Sequence, residues 1–270
     1  MIDTVYIVRH AFRGNFTVNP QTGQYTASTR TPTGIPTDPP LTAHGVEQAK
    51  ELADHLCNID PPIDRIYSSP FYRCLETLKP TTERLFAQGR GGGKVRLDRG
   101  LGEFYGKADF SHPTPPDMAV LEPFFTDLDK EHVSIHIPHE KGEFIQEMHD
   151  RVERALESII TSLDNDSAQP QTLLICTHAA AMIAIGRILT GRTPDDLDED
   201  DFQCYTASLS TFKRKKEQKE RVAGGWECVG NAETYFLSQG AERGWKFNGE
   251  ESFVSFANPA PTQSTEIPKL

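Results

Sequence analysis

Two histidines, His10 and His178, each follow an apolar run that reads as a buried strand, Thr4 to Val8 before the first and Thr172 to Cys176 before the second. Imidazole changes charge near neutral pH and is a nucleophile when unprotonated. In open α/β sheets ligands bind beyond the carboxyl ends of the strands, so both histidines face one crevice if their strands are neighbours. His178 also stands before an apolar helix, Ala179 to Leu189, whose N-terminus favours anions. Arg9 precedes His10, Arg13 follows it by three, and Arg73 falls in the first turn of a helix announced by Ser69-Pro70. A guanidinium fork matches a phosphoryl group and keeps its charge. The chemistry open to this set is phosphoryl transfer onto a histidine. Taken alone, Arg73 reads as a surface partner of Glu76 or Asp64, and each histidine as a core residue.

The 270 residues carry a formal net charge of −11, which argues against a broad nucleic-acid or membrane-binding surface. Positive charge for a phosphate must therefore be focused locally, as the three arginines would focus it. Five cysteines without CxxC spacing suggest neither a zinc site nor a disulfide framework. No apolar run is long enough to span a bilayer, and the first residues do not read as a signal peptide. The expectation is a cytoplasmic or nuclear protein, in which the sequons at Asn15 and Asn165 are chance matches.

Ala11 to Pro40 is rich in Thr, Pro and Gly and reads as a long loop without periodicity. Thr42 caps a helix with Val46, Ala49, Leu52, Ala53 and Leu56 on its inner face. Asp64 to Tyr67 reads as a strand, the next helix turns Phe71, Cys74, Leu75 and Leu78 inward, and Val95 to Leu97 is a strand after the glycines at 89–93. Leu101 to Lys141 is a second, proline-rich insertion, followed by an amphipathic helix from about Glu143 to Leu163. Tyr205 to Lys213 and Trp226 to Phe236 read as strands, with a solvated charged turn, Lys213 to Arg221, between them. Alternating strands and helices predict a three-layer α/β/α fold with a mostly parallel central sheet. One domain, 1–256, with insertions at 11–40 and 101–141, is expected before a flexible tail, 257–270.

Glu103, in Gly102-Glu103-Phe104, is either a general acid or an exposed loop residue. His44 and His55 read as surface or boundary residues. His132, His136 and His139 cluster loosely in a proline-broken stretch unsuited to a regular helix, with a metal site there as the minor alternative. Phe16, Phe104 and Tyr105 are candidates to line a substrate mouth or to sit in the core, and the acidic run Asp195 to Asp201 reads as a solvated loop.

Arg9-His10-Ala11, Leu41-Thr42 with Gly45 and Gln48-Ala49, Ser68-Ser69-Pro70 with Arg73, Glu103, and Thr177-His178 together resemble the histidine phosphatase superfamily, its phosphoglycerate mutase-like branch, over about residues 4 to 190. The stretch Ser69 to Thr77, Gly102 to Tyr105, Thr177 to Ala180 and Phe236 to Phe247 is similar to the phosphatase domains of fungal transcription factor IIIC tau subunits. The resemblance implies His10 as nucleophile. It implies Arg9, Arg73 and His178 as holders of the phosphoryl oxygens, Arg13 as a further phosphate contact, and Glu103 as the acid for the leaving oxygen. It implies no metal and no cofactor, because arginines carry the neutralising charge. The implied activity is a phosphomonoesterase acting on a phosphorylated protein or small molecule, with a lean toward aryl phosphates such as phosphotyrosine. The alternative is an interaction subunit of an RNA polymerase III transcription factor complex, partnered by other factor subunits, with incidental or vestigial catalysis. A third option is a mutase. Two departures stand out: Ala11 replaces a glycine, a strained exchange if φ there is positive, and Asn15 is offset from the mutase-type asparagine.

Overall fold

Thr4–Arg9 (β1) and Thr172–Thr177 (β6) are the sheet's central pair, and their continuous apolar runs fit strands covered on both faces. The computed structural model describes residues 1–248 except 197 and 219. The expected tail at 257–270, and the end of the expected domain, lie outside the described residues. β1 and β6 pair in parallel register with Arg9 opposite Thr177, so the chain leaves both strands side by side at His10 and His178. Arg65–Ser68 (β4) pairs parallel with β6, and Val95–Leu97 (β5) parallel with β4. Leu209–Arg214 (β7) and Trp226–Glu233 (β8) close the other side antiparallel. The order is β5-β4-β6-β1-β7-β8. This is the mostly parallel sheet that the alternation of elements predicts.

Helices cover both faces. Ala43–Leu56 (α1) and Tyr72–Ala87 (α2) pack Leu52, Leu56, Leu75 and Leu78 against Tyr6, Val8, Leu174 and Cys176. Ile145–Asp164 (α4) and Ala179–Thr190 (α5) pack Val152, Leu156, Ile183 and Ile185 against Val5, Ile7, Leu173 and Ile175. Each such side chain contributes about 1.5–3 kcal/mol by leaving water. Thr42 caps α1, its Oγ1 accepting from the Gly45 amide. Gly45 is required by close approach, since a Cβ there would lie 1.9 Å from the Phe12 carbonyl oxygen. That approach seats the loop after His10 on the helix start.

Several expectations are corrected. The 11–40 segment is not structureless: Phe16–Asn19 (β2) and Gln24–Ala27 (β3) form a hairpin, with Gly23 at φ +68° in its turn. Phe16, Val18, Tyr25 and Ala27 share its half-buried face and Thr17, Asn19, Gln24 and Thr26 its exposed one, an alternation only four residues long in each strand. The helix heralded by Ser69-Pro70 begins only at Tyr72, because the carboxylate that takes its first amides belongs to Asp38, far back in the chain. β7 starts at Leu209, since residues 205–208 turn with Ala207 at φ +54°. β8 ends at Glu233, before a turn closed by Leu237 N–H on Thr234 C=O. In the charged stretch Lys213 to Arg221, Arg214 is buried, paired with Asp164 at 2.8 Å and stacked on Trp226. In the acidic run, Asp201 is likewise buried, against Arg187 at 3.0 Å. Within 101–141 the helical structure beyond one short turn at 99–101 is Met118–Leu121 (α3). No described helix is long and apolar enough to cross a membrane.

Candidate active site

His10 sits at the mouth of the β1–β6 pair, 2% exposed. Its Nδ1 lies 2.9 Å from the Ala11 carbonyl oxygen, which can only accept, so Nδ1 carries the hydrogen and Nε2 the lone pair. Burial lowers its pKa well below the ordinary histidine value, and the charges of Arg73, Arg9, His178 and Arg13 lower it further. The imidazole is held neutral, and its Nε2 has no hydrogen-bond partner among the described residues. The His178 ring stands edge-on, with centroids 5.5 Å apart.

Arg73, in the first turn of α2, is fully buried rather than a surface partner of Glu76 or Asp64. Nη1 donates to Asp38 Oδ1 at 3.0 Å and Thr37 C=O at 2.9 Å. Nη2 donates to Glu103 Oε2 at 2.8 Å and lies 3.1 Å from His178 Nδ1. Burial opposes its charge, but Asp38 and Glu103 push its pKa above the usual arginine value. His178 Nε2 is 2.7 Å from the Ser69 hydroxyl, and its Nδ1 is 3.3 Å from Glu103 Oε2. Burial lowers the His178 pKa while Cys74 and Glu103 raise it, and the net direction is up.

Arg9 Nη1 donates to the carbonyl of Cys204 at 2.9 Å and also to that of Arg243. Arg13 stacks on Phe16, 4.6 Å from guanidinium carbon to ring centroid, and its pKa falls to about 10 through burial and neighbouring cations. The Nε groups of Arg9, Arg13 and Arg73 are buried without an acceptor among the described residues. Burial opposes ionisation of Glu103, but His178, Arg73 and His10 outweigh it and hold the carboxyl well below the usual range.

The sequence therefore names residues that the structure brings together: His10, Arg9, Arg13, Arg73, His178 and Glu103. Arg9, His10, Arg13 and Glu103 line a cavity of about 480 Å³ walled by Phe16, Val18, Tyr25, Phe104, Tyr105 and Trp245, while Arg73 and His178 lie buried behind Glu103. Phe16, Phe104 and Tyr105 thus line the mouth. His132, His136 and His139 do not converge: His132 bonds Asp98 and His136 bonds Ser158. His44 bonds Glu242 and His55 stacks on Phe236, both half-buried and away from the cavity. Ala11 is not at positive φ, and its methyl packs in the core with Tyr6, Val8 and Leu41, so the exchange for glycine strains nothing. Asn15 accepts from Arg243 Nη2. The donor atoms of His10, Glu103 and His178 lie within 4.8 Å of one another, a separation that suits a metal. Arg73 bonds two of the three, however, and the surrounding cations fit an anion better than a dication.

Four contributors are not among the residues the sequence singles out. Asp38 and Thr37 reach Arg73 from a loop without pattern; Tyr25 comes from the hairpin; Trp245 comes from a segment that Arg9 and Arg243 join to the site. In Asp38 the sole available hint is a carboxylate beside a proline pair in an otherwise uncharged stretch.

Residues 5–226 match the model of the histidine phosphatase superfamily, branch 1. The chain is 33% identical to the transcription factor tau 55 kDa subunit of Saccharomyces cerevisiae over 296 residues, covering all of this chain and 65% of that protein. It is 27% identical to the ecdysteroid-phosphate phosphatase of Drosophila melanogaster over 255 residues, covering 83% of this chain and 31% of that one. The chain thus spans less than two-thirds of the length of these relatives. Among solved structures, an ecdysone phosphate phosphatase from Bombix mori in complex with tungstate superposes with a TM-score of 0.58 at 18% identity, covering 85% of this chain and 93% of that one. The sheet order, the strand-end histidines and the match over most of the length lead to one assignment: this chain belongs to the histidine phosphatase superfamily, branch 1.

Proposed function

We propose that the chain is a phosphomonoesterase that works through a phosphohistidine on His10, and that it prefers aryl phosphates. The observation that carries this reading is the state of His10: buried among cations, neutral, with Nδ1–H fixed on Ala11 C=O and Nε2 free. The phosphoryl dianion takes over the donors of Arg9, Arg73 and His178, with Arg13 beside them in the cavity lining. Preorganised charge of this kind dominates phosphoryl transfer. Nε2 then bonds to phosphorus as the bond to the leaving oxygen breaks, and Glu103 gives that oxygen its proton. In the second step Glu103 takes a proton from water, the water oxygen bonds to phosphorus, and the P–N bond breaks to return free His10 and phosphate. The neutral nucleophile and the arginine set make no demand on a metal or cofactor.

Glu103 starts the cycle as a carboxylate bonded to Arg73. Arrival of the dianion replaces it on that arginine and adds negative charge beside it, and both changes favour its protonated form. The aromatic walls suit a flat leaving group such as phenol or the tyrosine ring. Hydrolysis of para-nitrophenyl phosphate by the purified chain, abolished in His10→Ala, is the expected result; no phosphate release, or full activity in His10→Ala, contradicts the reading.

A second reading rests on the 33% identity with the yeast tau subunit along this whole chain. In it the chain works in the nucleus as a partner of other transcription factor subunits. Co-purification of a tagged chain with such subunits supports it, and their absence counts against it.

A further inference from the structure

Arg151, on the inner face of α4, is 2% exposed and touches none of the six residues of the candidate site. Its Nε and Nη2 bind both oxygens of Glu143, at 2.7 and 2.8 Å, the bidentate fork that fixes a guanidinium in plane. Its Nη1 reaches back to the carbonyls of Gly100 at 2.7 Å and Gly102 at 3.4 Å, immediately before Glu103 in the chain. On the other side of Glu103, the Tyr105 carbonyl accepts from the Glu143 amide at 2.9 Å. The Arg151–Glu143 pair therefore grips the 100–105 loop at both ends. Thr177 Oγ1 ties the middle of the loop by donating to Leu101 C=O at 2.6 Å. The loop also lies tight on α4: a Cβ on Gly100 would come 2.5 Å from the Ala155 methyl.

We infer that Arg151, through Glu143, is a positioning residue for the general acid, setting the place of the Glu103 carboxyl against the leaving oxygen. The inference rests on the general-acid reading of Glu103. A single buried pair does this because it satisfies loop carbonyls that no helix or sheet satisfies. Its own charge is matched by Glu143, so it adds no net field at the phosphate. Displacement of the loop by a fraction of an ångström costs proton transfer more than phosphate binding.

The test is a leaving-group series measured as kcat/KM: 2,4-dinitrophenyl, para-nitrophenyl and phenyl phosphate, with Glu103→Gln, Arg151→Met, Arg151→Lys and Glu143→Gln beside the parent chain. A good leaving group needs no proton, so a displaced acid is felt only with poor ones. Expected is a loss of ~10-fold or more on phenyl phosphate in Arg151→Met, with ~3-fold or less on the dinitrophenyl ester, within the range general acids supply. Glu103→Gln shows the same steepening, and the double variant Glu103→Gln/Arg151→Met steepens no further. Arg151→Lys and Glu143→Gln show the effect in milder form, and they decide the matter if Arg151→Met does not fold. An equal loss across the series, or none, in the Arg151 variants while Glu103→Gln steepens overturns the positioning role alone. A flat response in Glu103→Gln removes the general-acid assignment and this role with it.

Discussion

Glu103 Oε2 stands 2.8 Å from Arg73 Nη2, so the candidate acid is bonded to the arginine proposed to hold the phosphoryl group. The same oxygen lies 3.3 Å from His178 Nδ1. In the proposed mechanism substrate and acid compete for one set of donors, and this exchange favours the protonated form of Glu103.

Binding of an oxyanion should therefore take up protons. Titration of the chain with vanadate near pH 6.5, by calorimetry in buffers of different ionisation enthalpy, is expected to show net uptake. Glu103→Gln should show none. Equal proton counts in the two proteins would separate Glu103 from the exchange.

Burial, reinforced by the neighbouring cations, keeps His10 neutral in the fold, whereas the unfolded chain protonates it near the ordinary value of about 6.5. The unfolded state thus binds more protons as pH falls through that value, and His10 lowers stability on the acid side. The His10 ring resonance should not titrate between pH 7 and 5.5, and the drop in urea midpoint over that range should be smaller in His10→Asn. A titration midpoint near 6.5 would contradict the burial argument.

Arg73 and Asp38 are both fully buried, 3.0 Å apart. Removing one partner of such a pair costs ~3–5 kcal/mol because the other charge is left in low dielectric. Asp38 also takes the first amides of α2. Asp38→Ala should lower unfolding free energy by ~3 kcal/mol or more in urea. A loss below ~1 kcal/mol would show that Glu103 and Thr37 alone suffice for Arg73.

Tyr25 and Trp245 wall the cavity from opposite parts of the chain. An aromatic contact contributes ~0.5–1.5 kcal/mol beyond its area. Tyr25→Ala and Trp245→Ala should each lower kcat/KM for phosphotyrosine by roughly 2- to 12-fold while leaving phosphoserine nearly unchanged. Equal loss on both substrates would mean that neither wall selects the aryl group.

Much of this site is legible in the sequence because strand ends have local signatures. An apolar run closing on Arg9-His10 and another on Thr177-His178 place both histidines, and only the pairing of β1 with β6 had to be supplied by the fold. Arg73 was legible as a helix-start residue, but its burial was not, since burial depends on Asp38 arriving from a segment with no periodicity. The hairpin that bears Tyr25 carries a period-2 alternation, Phe16 and Val18 against Thr17 and Asn19, but over only four residues in each strand, too short to stand out in a Thr- and Gly-rich stretch. Asp201 and Arg214 were misread because charged residues in a run look solvated, and only tertiary contact reveals that Arg187 and Asp164 answer them. Periodicity reports a residue's relation to its own element, and long-range ion pairs leave no trace in it.

The central claim is that His10 Nε2 takes the phosphoryl group. Rapid acid-free denaturation of the chain during turnover of an aryl phosphate, followed by peptide mass spectrometry, tests it most directly. The account predicts an acid-labile phosphoryl adduct on the peptide containing His10, accumulating more in Glu103→Gln with a good leaving group and absent in His10→Ala. An adduct on any other residue, or turnover with no adduct in either protein, contradicts it.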